Sequence, residues 1–270
     1  MDFQIKDRYG MKDLLSIMEL LRSPGGCPWD RVQTHESIRK NFIEETYEVV
    51  EAIDTRDTAL LREELGDVLL QVVFHTQMEK EKGTFDFGDV CDGICRKLVS
   101  RHPHIFSDTA ADTPDQVLRN WEEIKQREKQ QNTHTQALES VPRVLPSLMR
   151  SEKVQSRAAK AGFDYPDADW ALKDLRSEVE ELAEALRLRD AAATNEELGD
   201  LLFSVVNVAR LVSVDAEHSL SRACDKFVSR FAGVERLAVQ RGISLQAADT
   251  DLLNGLWLEA KKECKNFGGN

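Results

Sequence analysis

The stretch Glu178-Val-Glu-Glu-Leu-Ala-Glu184, followed after a short interval by Glu196-Glu-Leu-Gly-Asp200, decides how this chain is read. Glu178 with Glu181, and Glu197 with Asp200, are spaced three apart, so on helices each pair occupies one face. Residues 178 with 200, and 181 with 197, are both centred on residue 189. A helical hairpin turning at Leu188-Arg189-Asp190 therefore sets the inner carboxylates level with each other, and the outer ones likewise. Like charges packed this closely repel, and a bound divalent cation is the ordinary compensation.

The same arrangement stands in the first half. Glu45, Glu48, Glu64 and Asp67 form outer and inner pairs centred on residue 56, and an offset of 133 residues carries them onto Glu178, Glu181, Glu197 and Asp200 without a gap. Arg56-Asp57 matches Arg189-Asp190, and Leu65-Gly66-Asp67 matches Leu198-Gly199-Asp200. Further out, Trp29-Asp30 pairs with Phe163-Asp164, Lys97-Leu-Val-Ser-Arg101 with Lys226-Phe-Val-Ser-Arg230, and the Trp121/Lys125 spacing with Trp257/Lys261. This is an internal duplication.

Apolar positions fall at helical intervals throughout. Leu14, Leu15, Met18 and Leu21 predict a first helix ended by Ser23-Pro-Gly-Gly26, while Ile38, Phe42, Val49 and Ile53 lead into the first acidic hairpin. Asp57 or Thr58 is the expected cap of the helix that follows. Two further helices are expected behind each hairpin, at about 86–101 and 113–130, then about 215–240 and 249–265, and another through Leu148 to Ala158. No strand pattern of comparable strength appears. The fold class is all-α, with two tandem helical bundles, each built on an acidic hairpin. Gln130-Gln-Asn-Thr-His-Thr-Gln136 is polar and aperiodic, and Pro142 and Pro146 follow it, so the domains are set at 1–134 and 143–270. Cys27-Pro-Trp-Asp30 reads as a loop, with Trp29 as a lid over the core in preference to a substrate contact.

Among 270 residues, 36 Lys+Arg stand against 48 Asp+Glu, a formal charge of -12 that argues against nonspecific binding to nucleic acid or an anionic membrane. Five scattered cysteines, no signal-like N-terminus and no membrane-length apolar run fit a reduced cytoplasmic setting.

Four carboxylates without histidine or cysteine favour magnesium, or manganese, over zinc. A di-iron site needs a Glu-x-x-His pair on each of two helices, and the chain offers only Asp215-x-x-His218. Magnesium held by few protein ligands is usually completed by substrate phosphates. Lys226 and Arg230, one helical turn apart, and Lys261 have the charge to receive them, and Trp257 offers either a ring to a base or a core side chain. Asn207, two turns beyond Asp200, lies on the ligand face as a substrate contact or a buried amide, whereas its counterpart is Phe74. That contrast favours the C-terminal half as the working one.

Glu44-Glu-Thr-Tyr-Glu48 followed by Glu64-Leu-Gly-Asp67 resembles the E-E-x-x-E then E-x-x-D signature of the MazG family, all-helical nucleoside triphosphate pyrophosphohydrolases. Gly26-Cys-Pro-Trp-Asp30 and Arg101-His-Pro-His-Ile-Phe106 are similar to that family's N-terminal half, and the duplication to its two-domain members. The second copy departs at Ser177, where the signature has glutamate; this position lies outside the symmetric pairs and is not expected to bind metal. The resemblance implies hydrolysis of ribo- and deoxyribonucleoside triphosphates between the α and β phosphates, a magnesium cofactor and a homodimer. Glu178 and Glu181 are both candidates for the base. The competing reading is a nucleotide- or metal-sensing interaction protein that binds without turnover.

Overall fold

The computed structural model describes residues 3–107, 113–128 and 133–267, and among these all regular structure is helical. The chain forms two compact units, Met1–Glu128 and Lys129–Asn270. In the first lie α1 (Met11–Arg22), α2 (Pro28–Val32), α3 (His35–Thr55), α4 (Thr58–Lys82), α5 (Phe87–Arg101), α6 (Pro103–Phe106) and α7 (Pro114–Glu128). The second holds α8 (His134–Glu139), α9 (Ser147–Lys160), α10 (Ala168–Leu188), α11 (Ala191–Leu211), α12 (Ala216–Arg241) and α13 (Thr250–Phe267).

Each unit is organised on one hairpin, α3 with α4 and α10 with α11, and the two turns are built alike. Arg56 (φ 58°) and Arg189 (φ 55°) end their helices in the left-handed conformation. The next amide reaches back five residues, from Asp57 to the Ala52 carbonyl and from Asp190 to the Ala185 carbonyl. Asp57 then caps α4 by accepting from the amides of Ala59 and Leu60, and Asp190 caps α11 by accepting from Ala192 and Ala193. A two-residue turn with both ends capped fixes the register of the facing helices, and so the level at which their carboxylates meet.

The cores lie behind the hairpins. Met18, Ile38, Val73, Phe74 and Met78 bury one face of α1, α3 and α4. In the second unit Val234, Leu237, Ala238, Leu256 and Ala260 join α12 to α13. Cys27-Pro-Trp-Asp30 is not a loop: Pro28 opens the helical turn α2, and Trp29 is 57% exposed rather than lying over the core. Part of the polar stretch at 130–136 lies outside the described residues. From Thr133 onward it caps α8, a short helix that the aperiodic composition did not announce. Arg157 of α9 holds α8 by donating to the Ala137 carbonyl and the Ser140 hydroxyl.

At the end of α4, Glu79 accepts from Lys82 Nζ (2.7 Å), from the Thr84 hydroxyl and from His35 Nε2 (2.6 Å), and His35 Nδ1 lies 2.7 Å from His75 Nδ1. Hydrogen bonds from Lys82, Thr84 and His35 hold the Glu79 carboxyl down at about 2. A depressed folded-state value contributes stability that is complete above the ordinary carboxylate value near 4.5 and is lost as pH falls toward 2. Glu79→Gln is therefore expected to flatten that part of the acid limb in a plot of melting temperature against pH. An acid limb identical to wild type would show that Glu79 makes no such contribution.

Candidate active site

The hairpins bring the predicted carboxylates together. One oxygen from each of Glu178, Glu197 and Asp200 lies within 4.8 Å of the other two, and Glu45, Glu48 and Glu64 do the same in the first unit. The two clusters differ in the quartet member left out, Glu181 in one and Asp67 in the other. Partial burial, followed by the charges of Glu181, Asp174, Asp200 and Glu197, raises the Glu178 carboxyl above its ordinary value. Glu197 is raised by desolvation and then by Glu181, Asp200 and Glu196, and Glu45 and Glu64 are raised in the same way. The cause is common to all four: several carboxylates share a half-desolvated space with no cationic side chain among them.

Ser177, which departs from the signature, donates its hydroxyl to Glu181 Oε1 at 3.1 Å. Its counterpart Glu44 is instead paired with Lys40 at 2.7 Å. Position 177 thus steadies a neighbouring carboxylate, a role that spacing alone did not disclose. Below Glu178 the mirror pairing continues. Ser204 donates to Asp174 Oδ2 at 3.2 Å, and Tyr165 hydrogen-bonds Asp174. Burial, that bond and the nearby acids push the Tyr165 phenol up to about 12.

The basic set is gathered on α12 and α13. Arg230 lies with its guanidinium 5.9 Å from the centre of the Trp257 ring, and Phe227 packs against the same ring at 5.1 Å. Trp257 also borders the α12–α13 core, so it is a partly buried wall rather than a free ring. Lys226 is exposed and Lys261 half-buried. Among the described residues, no ion pair or hydrogen bond joins Lys226, Arg230 or Lys261 to the acidic four.

A contrast between the halves appears here. In the first unit Arg101 stands 5.3 Å from the Trp121 ring and is neutralised by Glu128, which accepts from its Nε at 2.9 Å and its Nη2 at 2.5 Å. The residue seven beyond Trp257, where Glu128 stands relative to Trp121, is Cys264. Among the described residues no carboxylate pairs with Arg230, and its buried Nε has no partner. Comparing positions 128 and 264 in the sequence was the signal that could have found this. Likewise Phe74 fills the first core at 4% exposure, while Asn207 is only half-buried on the carboxylate face of α11.

The family model for the MazG nucleotide pyrophosphohydrolase domain matches this chain over residues 33–106 and again over 169–234, one match on each acidic hairpin. The nucleoside triphosphate pyrophosphohydrolase of Escherichia coli K12 is 44% identical over 253 residues, 93% of this chain and 96% of the relative. A pyrophosphohydrolase/pyrophosphatase MazG of Thermotoga maritima is 43% identical over 250 residues, with 93% and 95% covered. A nucleoside triphosphate pyrophosphohydrolase of Mycolicibacterium smegmatis aligns over 153 residues at 38%, 56% of this chain and 46% of its own length. With two helical hairpins each presenting a three-carboxylate cluster, and relatives matched almost end to end, this chain belongs to the MazG family of nucleotide pyrophosphohydrolases.

Proposed function

We propose that this nucleoside triphosphate pyrophosphohydrolase works at its C-terminal unit, converting NTPs and dNTPs to the monophosphate and pyrophosphate at Glu178, Glu181, Glu197 and Asp200. The observation that carries the choice of half is Arg230, whose charge is not cancelled as that of Arg101 is. An arginine that, among the described residues, has no carboxylate partner is suited to a polyanionic ligand that binds together with a cation.

The donor set fits magnesium or manganese, since it consists of carboxylate oxygens, and the carboxyls of Glu178 and Glu197 are raised by desolvation and then by neighbouring acids. Glu178, Glu197 and Asp200 would hold the ion. When bound, magnesium neutralises phosphate oxygens and activates water for attack at phosphorus. Glu181, outside that triplet and oriented by Ser177, takes the proton from the attacking water. Lys226, Arg230 and Lys261 stabilise charge on the departing pyrophosphate, and Trp257 backs the Arg230 guanidinium. The N-terminal quartet, Glu45, Glu48, Glu64 and Asp67, is a second metal site whose anion-binding arginine is already neutralised.

A homodimer accounts for the apolar side chains left on the hairpin. Val179 and Leu186 on α10, and Leu198, Leu202 and Val205 on α11, are all exposed at helical spacing. Among the described residues no helix is long and apolar enough to cross a membrane, and we place the enzyme in the cytoplasm with nucleotides, not nucleic acid, as its ligands.

If the carboxylates bind magnesium, saturating metal stabilises the fold by mass action. Magnesium at about a hundredfold excess over its Kd is expected to raise the melting temperature of chelator-treated protein by roughly 5 °C. The double variant Glu64→Gln/Glu197→Gln should lose most of that rise. An equal rise in the double variant would place the ion elsewhere.

A further inference from the structure

Asn207 is held by a clamp that fixes which way its amide points. Arg210 donates from Nε and Nη2 to Asn207 Oδ1 at 3.0 and 2.7 Å. Arg210 is itself anchored by Asp164, whose Oδ2 accepts from Nη1 at 3.1 Å and whose Oδ1 accepts from Nη2. A guanidinium has five donors and no acceptor, so the amide atom facing it must be oxygen. The usual ambiguity between the two ends of an asparagine side chain is thereby removed. The nitrogen Nδ2 faces away, and among the described residues nothing accepts its hydrogens.

The clamp stands on the carboxylate face. Seven residues separate Asp200 from Asn207, two helical turns, so the amide lies on the same side of α11 about 10 Å further from the hairpin turn. Between them runs a polar track, with Asp174 and Ser204 hydrogen-bonded across the hairpin beside Glu178. A nucleotide with its phosphates at the carboxylates and its sugar and base laid along this track would bring the base to the amide. The first unit has no such device, because Phe74 occupies the matching position inside the core.

We infer that Arg210, anchored by Asp164, is a positioning residue that makes Asn207 a hydrogen-bond donor only, and that this donor selects nucleobases presenting a keto oxygen to it over those presenting an amino group at the same ring position. Guanine O6 and the O4 of uracil and thymine accept there, whereas adenine N6 and cytosine N4 can only donate. The inference rests on the placement of the active site in the C-terminal unit. Selection of this kind works mainly by penalising the base that sets an amino group against the amide and leaves donors facing donors.

The test is the ratio of kcat/KM for GTP to that for ATP, measured with magnesium on the full chain. Asn207→Asp keeps two oxygens for Arg210 but offers the base an acceptor in place of a donor. The ratio should fall about 10- to 100-fold, chiefly through KM for GTP. Arg210→Gln frees the amide to turn, and the ratio should fall by about 3- to 10-fold. Asp164→Asn, which weakens the anchor while leaving the clamp residues in place, should move it in the same direction. A structural role alone would lower both substrates together; a ratio unmoved in Asn207→Asp and in Asp164→Asn overturns the inference while leaving the pyrophosphohydrolase site intact. A wild-type chain inert toward every nucleotide would overturn both.

Discussion

Glu197→Gln is expected to lower pyrophosphate release by at least about a hundredfold, whereas Glu64→Gln leaves most of it. The two residues are equivalent in the repeat, and each sits in a three-carboxylate cluster. Substitution to glutamine preserves shape and removes one negative oxygen, so the ion loses a charged ligand without a cavity being opened. The outcomes differ because the two units differ outside the clusters. In the second unit, among the described residues Arg230 has no carboxylate partner, and Asn207 turns its amide nitrogen away from the Arg210 clamp on the ligand face. In the first, Arg101 is neutralised by Glu128, and Phe74 is committed to the core. Parallel steady-state rates for the two variants check this, and the reverse pattern would assign catalysis to the N-terminal unit.

The largest expected effect on stability is at a residue without a side chain. Gly26 lies against the last turn of α1, where a Cβ would stand 2.2 Å from the Leu21 carbonyl oxygen and 2.3 Å from that of Leu20. Both atoms are backbone, and the adjacent Cys27 amide donates to the Leu21 carbonyl at 2.7 Å, so the neighbours cannot turn aside as a side chain would. Gly26→Ala must break this closure or push α2 away from α1, at a cost of about 3 kcal/mol. Gly25→Ala, one residue earlier, meets nothing within 4 Å and serves as the control. Chemical denaturation of the two variants separates them; equal stabilities would show that the loop yields cheaply.

Gly26 also illustrates what could be read before any coordinates. The Gly26-to-Asp30 run was recognisable as a family motif, but its physical reason, a backbone approach too close for Cβ, depends on how the loop folds back. The acidic hairpins were legible because the helical period is rigid. Once 178, 181, 197 and 200 share a centre, the two-residue turn and its Arg-Asp sequence leave little freedom. Trp29 was misread because an aromatic beside Pro and Gly carries no period that distinguishes an exposed helical turn from a lid.

Long-range polar partners were the other blind spot. The Asp164–Arg210 pair spans 46 residues, and nothing in the sequence joins them. Symmetry leaves Ser177 outside the ligand set, and its bond to Glu181 emerged only from geometry. The Arg101–Glu128 contrast was within reach, since matching position 128 to 264 needs only the repeat.

If the second hairpin holds the working metal, anomalous diffraction from crystals grown with manganese and a non-hydrolysable nucleoside triphosphate will show a manganese peak among Glu178, Glu197 and Asp200, with phosphate density reaching toward Arg230. Phosphate density at the Glu45–Asp67 hairpin with the second hairpin empty would contradict it.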